Sequence, residues 1–195
     1  FNCRMCYVHL QPEQIPRYGR ELSAGEWLRI AEEAKEAGTT WLCITGGEPL
    51  MHPEFETIYR ELTQMGFFIT LQTNASLIRG RMAELLEECP PRAVKASLYG
   101  ASDETYENVC KVKAGFRKVH EGLQTLKTLK IPVQLVSTVI RQNLEDVEKM
   151  AFYACLNAFS WIAAGGVHAS ARAAASVARG LRLTGKLTTH KKNET

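Results

Sequence analysis

Residues 42–49 read Leu-Cys-Ile-Thr-Gly-Gly-Glu-Pro, a short apolar run that breaks into two adjacent glycines. The run of Leu42, Cys43 and Ile44 favours a β-strand. Paired glycines at the carboxyl end of a strand leave backbone N–H and C=O groups bare, so a ligand can approach them closely. Open α/β sheets and barrels bind their ligands at that end of the strands. The stretch therefore predicts a strand followed by a ligand-binding turn.

A cysteine pair stands near the first residue, where residues 1–7 read Phe-Asn-Cys-Arg-Met-Cys-Tyr. Cys3 and Cys6 are separated by two residues, a spacing that places two sulfurs on one side of a turn. Such a pair suits zinc, an iron–sulfur cluster or a redox dithiol. The spacing alone leaves these three possibilities open.

Apolar β-type runs alternate with helical patterns along most of the chain. The runs predict strands at 41–45, 67–72, 93–98 and 133–140. Between and beside them, Ser23 and Asn143 are predicted to cap helices, and Ser102 is predicted to cap a short helix that ends at Cys110. This alternation indicates β–α units around a parallel sheet, and so an α/β fold.

Length and composition bound the class of protein. The 195 residues are enough for one sizeable core, and 45% hydrophobic with 23% charged residues is ordinary for a globular chain. No apolar run approaches a membrane span, and no secretory leader is visible. Six cysteines without a framework pattern indicate a reducing, cytoplasmic compartment. The net charge is only +3, and the part before Lys149 is mildly acidic, which does not favour nucleic acid as a partner.

Three motifs together resemble those of the radical S-adenosylmethionine (SAM) enzymes. Cys3 and Cys6 match the second and third cysteines of the family's Cys-x3-Cys-x2-Cys motif, whose next residue is commonly an aromatic such as Tyr7. The run Gly-Gly-Glu-Pro at 46–49 matches the family's GGEP motif, and Thr-Asn-Ala at 73–75 looks like its strand-three motif. The resemblance extends from Phe1 to about Met150, and the first motif cysteine would fall two positions before Phe1.

The resemblance implies a fold and two cofactors. The fold is a partial parallel (β/α)6 TIM-like barrel, truncated here at its N-terminus. Three thiolates hold a 4Fe-4S cluster and leave one iron open, and the methionine part of SAM binds there. The reduced cluster then cleaves SAM to a 5′-deoxyadenosyl radical that abstracts hydrogen from a substrate.

The resemblance also implies roles for individual residues. Cys3 and Cys6 would be metal ligands, while Gly46, Gly47 and Glu48 would hold the SAM ammonium group. Asn74 and Ser97 would lie near the ribose hydroxyls, although either could instead cap a turn. The candidate cofactor-binding residues are Met5, Gly46, Gly47, Glu48, Pro49, Asn74 and Ser97. Ser137 and Thr138 are further candidates beside the adenine, and no catalytic residue is identified.

The step from Cys6 to Tyr7 and the Ser-Leu-Tyr-Gly strand end at 97–100 look like the SPASM-type branch, whose members modify peptides or proteins. That analogy implies a small-molecule or peptide substrate and an electron donor such as a flavodoxin or a ferredoxin, with no nucleic acid and no membrane. Two alternatives stay open. Cys3 and Cys6 could be half of a closed zinc site in a structural α/β domain, or the chain could be an inactive fragment because one cluster ligand is absent.

The character of the sequence changes near Tyr153. Residues 163–179 are mainly Ala, Ser, Gly and Arg, and residues 181–195 form a basic polar tail. We therefore expect a core domain at 1–154 and an atypical Ala-rich, then basic tail at 155–195 that is non-native or disordered. Within that tail, residues 159–162 are the one candidate for a sixth barrel strand.

Overall fold

The computed structural model describes residues 1–6 and 19–165. It contains a parallel sheet of five strands in the order β1-β2-β3-β4-β5. The strands are β1 (Trp41–Ile44), β2 (Phe68–Thr73), β3 (Ala93–Ser97), β4 (Val133–Val139) and β5 (Ser160–Gly165). Within the described part of the chain the sheet is not closed, because β1 and β5 each pair with one neighbour only.

Among the described residues, one α-helix precedes β1 and five others connect the strands. They are α1 (Ala24–Glu36), α2 (Phe55–Gln64), α3 (Arg81–Glu88), α4 (Asp103–Cys110), α5 (Gly115–Thr128) and α6 (Val147–Leu156). In the same described part of the chain, the 3-10 helices Pro49–Met51 and Arg141–Asp146 follow β1 and β4. Because each connection moves one strand in the same direction, right-handed crossovers place the helices on one face of the sheet. No helix among residues 19–165 is both long and apolar enough to cross a bilayer.

The two faces of the sheet differ in burial. In β2 the side chains of Ile69, Leu71 and Thr73 are buried, while the alternate residues are exposed or half-buried. β3 and β4 show the same alternation. Successive side chains of a strand point to opposite faces, so one face packs against the helices and the other lies open. We call these the packed face and the open face.

The predicted caps were partly right. Ser23 and Glu26 form a complete capping box at α1, and the Thr105 N–H donates to Ser102 Oγ over 3.1 Å at the start of α4. The prediction for Asn143 was wrong, because this residue lies inside a 3-10 helix. Its Oδ1 accepts a hydrogen bond from the Ile140 N–H at 2.7 Å, and its amide donates to two backbone carbonyls, those of Tyr99 and Thr138.

All four predicted strands are present, and each end agrees with its prediction or differs from it by one residue. The candidate strand at 159–162 is also present, as β5, which pairs with β4 from Gln134 and Ser160 to Val139 and Gly165. The sheet thus continues past residue 154, and the boundary placed there stays a prediction. The part of the predicted tail at 166–195 lies outside the described residues, as does Tyr7.

Candidate functional site

The turn after β1 presents bare backbone at the carboxyl edge of the sheet. Gly46 and Gly47 are exposed, and a Cβ added to either would meet no atom within 4 Å. Packing within the fold therefore does not require glycine at these positions. Pro49 begins the following 3-10 helix, and the Leu50 N–H donates to Glu48 Oε1 at 3.2 Å. The open space above the two glycines is where a ligand can contact the backbone.

Glu48 connects this turn to the end of β2. Its Oε1 accepts a 2.6 Å hydrogen bond from Thr73 Oγ1, and its Oε2 accepts a 2.8 Å bond from the Asn74 N–H. Burial raises the pKa of Glu48, while the bonds from Thr73, Asn74 and Leu50 act in the opposite direction. A carboxylate has about four acceptor positions. With three of them used, Glu48 retains capacity for one further donor.

Asn74 follows β2 at the same edge. Its Oδ1 accepts hydrogen bonds from the N–H and the hydroxyl of Ser76, which is the turn-capping role considered for it. Ala75 has a left-handed backbone with φ of 62° and is fully buried. The loop that carries Asn74 is thus held from both sides, by Glu48 before it and by Ser76 after it.

Ser97 ends β3 beside a pair of tyrosines. Tyr99 Oη donates to Ser97 Oγ over 3.4 Å, and Tyr106 Oη accepts a 3.2 Å bond from the Tyr99 N–H. Burial is the main cause of the raised pKa of Tyr99, and the thiols of Cys3, Cys110 and Cys6 add to it electrostatically. The two motif cysteines therefore lie near the same carboxyl edge as Ser97.

The cysteine pair forms a turn that docks on α4. The Cys6 N–H donates to the Cys3 carbonyl at 3.1 Å, which closes the turn, and the Asn2 and Arg4 N–H groups donate to the carbonyls of Cys110 and Val109 at 3.0 and 2.9 Å. Both thiols lie close to Tyr99, which follows the carboxyl end of β3. The cysteine turn therefore lies on the same rim of the sheet as the Gly-Gly-Glu-Pro turn, which follows the carboxyl end of β1. Met5 is half-buried and packs on the hydrophobic core.

Cys110 is a neighbour that the sequence did not identify. Its buried side chain forms a hydrogen bond with Cys3, and this bond lowers the pKa of Cys3. The same bond, with burial, raises the pKa of Cys110 well above its ordinary range. No spacing relates Cys110 to the cysteine pair, because α4 and the N-terminal turn meet only in the folded chain.

Of the two candidates on β4, Ser137 faces away from this site. It is fully buried, donates to the Leu98 carbonyl at 2.6 Å and accepts from Trp161 Nε1 at 2.8 Å. Its position on the packed face follows from the strand alternation, because buried Leu135 and Val139 share that face. Thr138 lies on the open face.

Among residues 1–6 and 19–165, no group of three or more His, Cys, Asp or Glu side chains is placed to hold a metal ion. Cys3 and Cys6 supply two thiols on one turn, a soft donor set that suits an iron–sulfur cluster. The closed zinc site considered as an alternative has no support in this geometry or in the comparisons below.

Sequence comparison identifies relatives over most of the chain. The sequence model of the Radical SAM superfamily matches residues 1–154. The AdoMet-dependent heme synthase of Methanosarcina barkeri is 30% identical over 151 residues, which are 76% of this chain and 43% of that protein. The PqqA peptide cyclase of Granulibacter bethesdensis is 25% identical over 74% of this chain and 39% of its own length. The chain thus spans about two fifths of the length of these curated relatives.

Solved structures share the fold. The crystal structure of Streptococcus suis SuiB bound to S-adenosylmethionine superimposes with a TM-score of 0.71, at 17% sequence identity, over 93% of this chain and 42% of that one. At this level of identity the likeness concerns the fold, a partial barrel of β–α units. With a family match that covers more than half of its residues, this chain belongs to the radical SAM superfamily.

Proposed function

We propose that the chain is the SAM-binding core of a radical SAM enzyme, with SAM and a 4Fe-4S cluster as its cofactors. The observation that carries this proposal is the connection of the Gly-Gly-Glu-Pro turn to Thr73 and Asn74 through the Glu48 carboxylate. That connection supports one ligand site at the carboxyl edge, built from the ends of two strands. The docked cysteine turn lies on the same rim.

The residues present fit the amino-acid end of SAM. The exposed backbone of Gly46 and Gly47 offers carbonyl oxygens, and Glu48 offers a negative charge with one acceptor position left. An ammonium group left without acceptors would be costly to bury, so acceptors of this kind are what it needs. Asn74 and Ser97 lie at the ends of β2 and β3, on the same edge of the sheet as this turn, and would contact the ribose. Met5 would pack near the adenine.

Cys3 and Cys6 would supply two of the three cluster thiolates, and the third would come from the position two residues before Phe1. When bound, the cluster and SAM supply a reducing electron and the 5′-deoxyadenosyl radical that abstracts hydrogen from the substrate. The chain's own part is to hold the amino-acid end of SAM, to orient the nucleoside toward the open face and to keep the reacting groups together.

The substrate class is proposed from relatives. One relative is a peptide cyclase, and one structural neighbour is SuiB bound to its precursor peptide SuiA. Another relative is an AdoMet-dependent heme synthase, whose name refers to a small molecule and not to a peptide. We propose a peptide or a small molecule as the substrate, a flavodoxin or ferredoxin as the electron donor, and the cytoplasm as the compartment.

Anaerobic reconstitution tests the function. The natural protein, including the motif cysteine before Phe1, is loaded with iron and sulfide, reduced with dithionite and supplied with SAM. We expect broad visible absorbance and release of 5′-deoxyadenosine, and we expect both to be lost in Cys3→Ala and Cys6→Ala. Cys155→Ala, which changes a cysteine of α6 outside the site, is the matched control. A cluster-loaded protein that releases no 5′-deoxyadenosine would show that the enzyme assignment is wrong.

A further inference from the structure

Three residues form a polar row across the middle of the open face. Lys95 of β3 pairs in register with Gln72 of β2 on one side and with Gln134 of β4 on the other. The neighbours of Lys95 along its own strand, Val94 and Ala96, are fully buried on the packed face. Strand alternation therefore directs Lys95, Gln72 and Gln134 to the open face. We call this set the Lys95 row.

The charge of Lys95 is not balanced by a nearby acid. Lys95 is half-buried, and within the described part of the chain its side chain makes no hydrogen bond or ion pair. None of the open-face residues of the five strands is Asp or Glu. The other members of the row carry carboxamides, which can donate N–H groups to the same ligand. The row thus combines one cation with neutral donors and has no internal anion.

The row lies directly below the proposed SAM site. Lys95 precedes Ser97 by two residues, so its Cα is about 7 Å further from the carboxyl edge. Gln72 precedes Asn74 by the same interval. A molecule held by the Lys95 row would extend upward along the open face and reach the edge at which the nucleoside of SAM is proposed to lie.

We propose that the Lys95 row binds a carboxylate of the substrate, so that this enzyme acts on a carboxylate-bearing molecule. The inference rests on the proposed function, because it takes the open face to be the substrate side. One ammonium balances the single charge of a carboxylate, and the flanking amides donate to its two oxygens. A phosphate dianion would leave one negative charge uncompensated among neutral side chains.

Binding of matched probes tests this proposal without SAM or the cluster. The full chain is titrated with glutarate, phenylacetate and N-acetylglutamate, with the methyl ester of each acid, and with phenyl phosphate, and Kd is measured by calorimetry. We expect at least one acid to bind while its ester does not. We expect Lys95→Gln to weaken that acid about fivefold or more, and Lys95→Arg to retain most of the affinity.

Lys118→Gln is the matched control, because Lys118 is also half-buried but lies on α5, on the other side of the sheet. Equal acid binding by wild type and Lys95→Gln, or no acid that binds better than its ester, would overturn the proposal. Lys95-dependent binding of phenyl phosphate in preference to phenylacetate would overturn the carboxylate assignment. SAM binding is measured separately on the same preparations. If the wild-type protein binds the acid but does not bind SAM, the proposed function alone is rejected.

Discussion

Thr73 Oγ1 donates a 2.6 Å hydrogen bond to Glu48 Oε1, which joins the end of β2 to the turn after β1. The same hydroxyl oxygen accepts a 3.0 Å bond from the Ala75 N–H, so Thr73 also holds the loop that carries Asn74. Thr73 is buried, and loss of its hydroxyl would leave two partners without it. This one residue therefore holds the turn after β1 and the loop after β2, both of which are proposed to bind SAM, in fixed positions relative to each other.

Thr73→Val removes the hydroxyl and keeps the shape of the side chain. We expect a loss of about 1–3 kcal/mol in the free energy of unfolding, because Glu48 and the Ala75 N–H lose a partner. We also expect weaker SAM binding, measured by calorimetry, and Thr73→Ser should restore most of it. Thr63→Val is the control, because the Thr63 hydroxyl donates only within its own helix, to the Tyr59 carbonyl. Equal SAM affinity in Thr73→Val and wild type would show that the Thr73 hydroxyl does not position the SAM-binding residues.

Glu48→Gln tests the charge at the site. The variant keeps an acceptor oxygen but loses the negative charge, and we expect about tenfold weaker SAM binding. Because burial raises the pKa of Glu48, the wild-type affinity should rise with pH through that raised pKa and then level off. In Glu48→Gln this pH dependence should disappear. Glu54→Gln, which changes a carboxylate bonded to the Ala24 N–H, should leave both the affinity and its pH profile unchanged.

Gly47→Ala distinguishes an effect on the stability of the fold from an effect on ligand binding. A Cβ at Gly47 meets no protein atom within 4 Å, so we expect the Tm to stay close to that of wild type. We expect SAM affinity to fall, because the methyl group occupies the space from which a ligand reaches the backbone. A variant that binds SAM as well as wild type would mean that the ligand does not approach this turn.

Gly122→Ala, in contrast, should destabilise the fold. A Cβ at Gly122 of α5 would lie 2.0 Å from the backbone carbonyl oxygen of Ala75, which cannot move as a flexible side chain could. We expect this overpacking to lower the free energy of unfolding, measured by urea denaturation, by about 1–3 kcal/mol. Gly25→Ala in α1, where a Cβ meets nothing, is the control and should be neutral or slightly stabilising. Neutral behaviour of Gly122→Ala would show that α5 does not approach the loop so closely.

Asp146 should make the stability of the fold fall on acidification. Burial would raise its pKa, but the hydrogen bonds from Thr105 and Ala101 and the ion pair with Lys149 hold the pKa below its ordinary value. A group with a lowered folded-state pKa contributes stability above its unfolded pKa and loses it as the pH falls through the folded value. Wild type should thus lose more stability than Asp146→Asn on acidification below about pH 4. Parallel pH profiles of unfolding for the two proteins would contradict this.

The strands were predictable because their signals are local. Each strand is a short apolar run before a turn residue, and the alternation with helices defines a parallel α/β fold without knowledge of any contact. The error at Asn143 has a local cause as well. Its side chain has the chemistry of a cap, but its partners are the strand ends at Thr138 and Tyr99. The residue type indicates that the Asn143 side chain forms hydrogen bonds with backbone groups, but the tertiary structure determines which backbone groups these are.

The sequence by itself was enough to identify the family motifs. The cysteine spacing and the Gly-Gly-Glu-Pro turn are contiguous stretches, so they can be recognised without any tertiary contact. Only the tertiary structure decided that Glu48 bonds Thr73, 25 residues away, that Cys110 contacts Cys3, and that Lys95 faces the open side of the sheet. These relationships depend on strand register and on the docking of separate elements. Both are set by which residues share the core, a property of the whole chain and not of any short stretch.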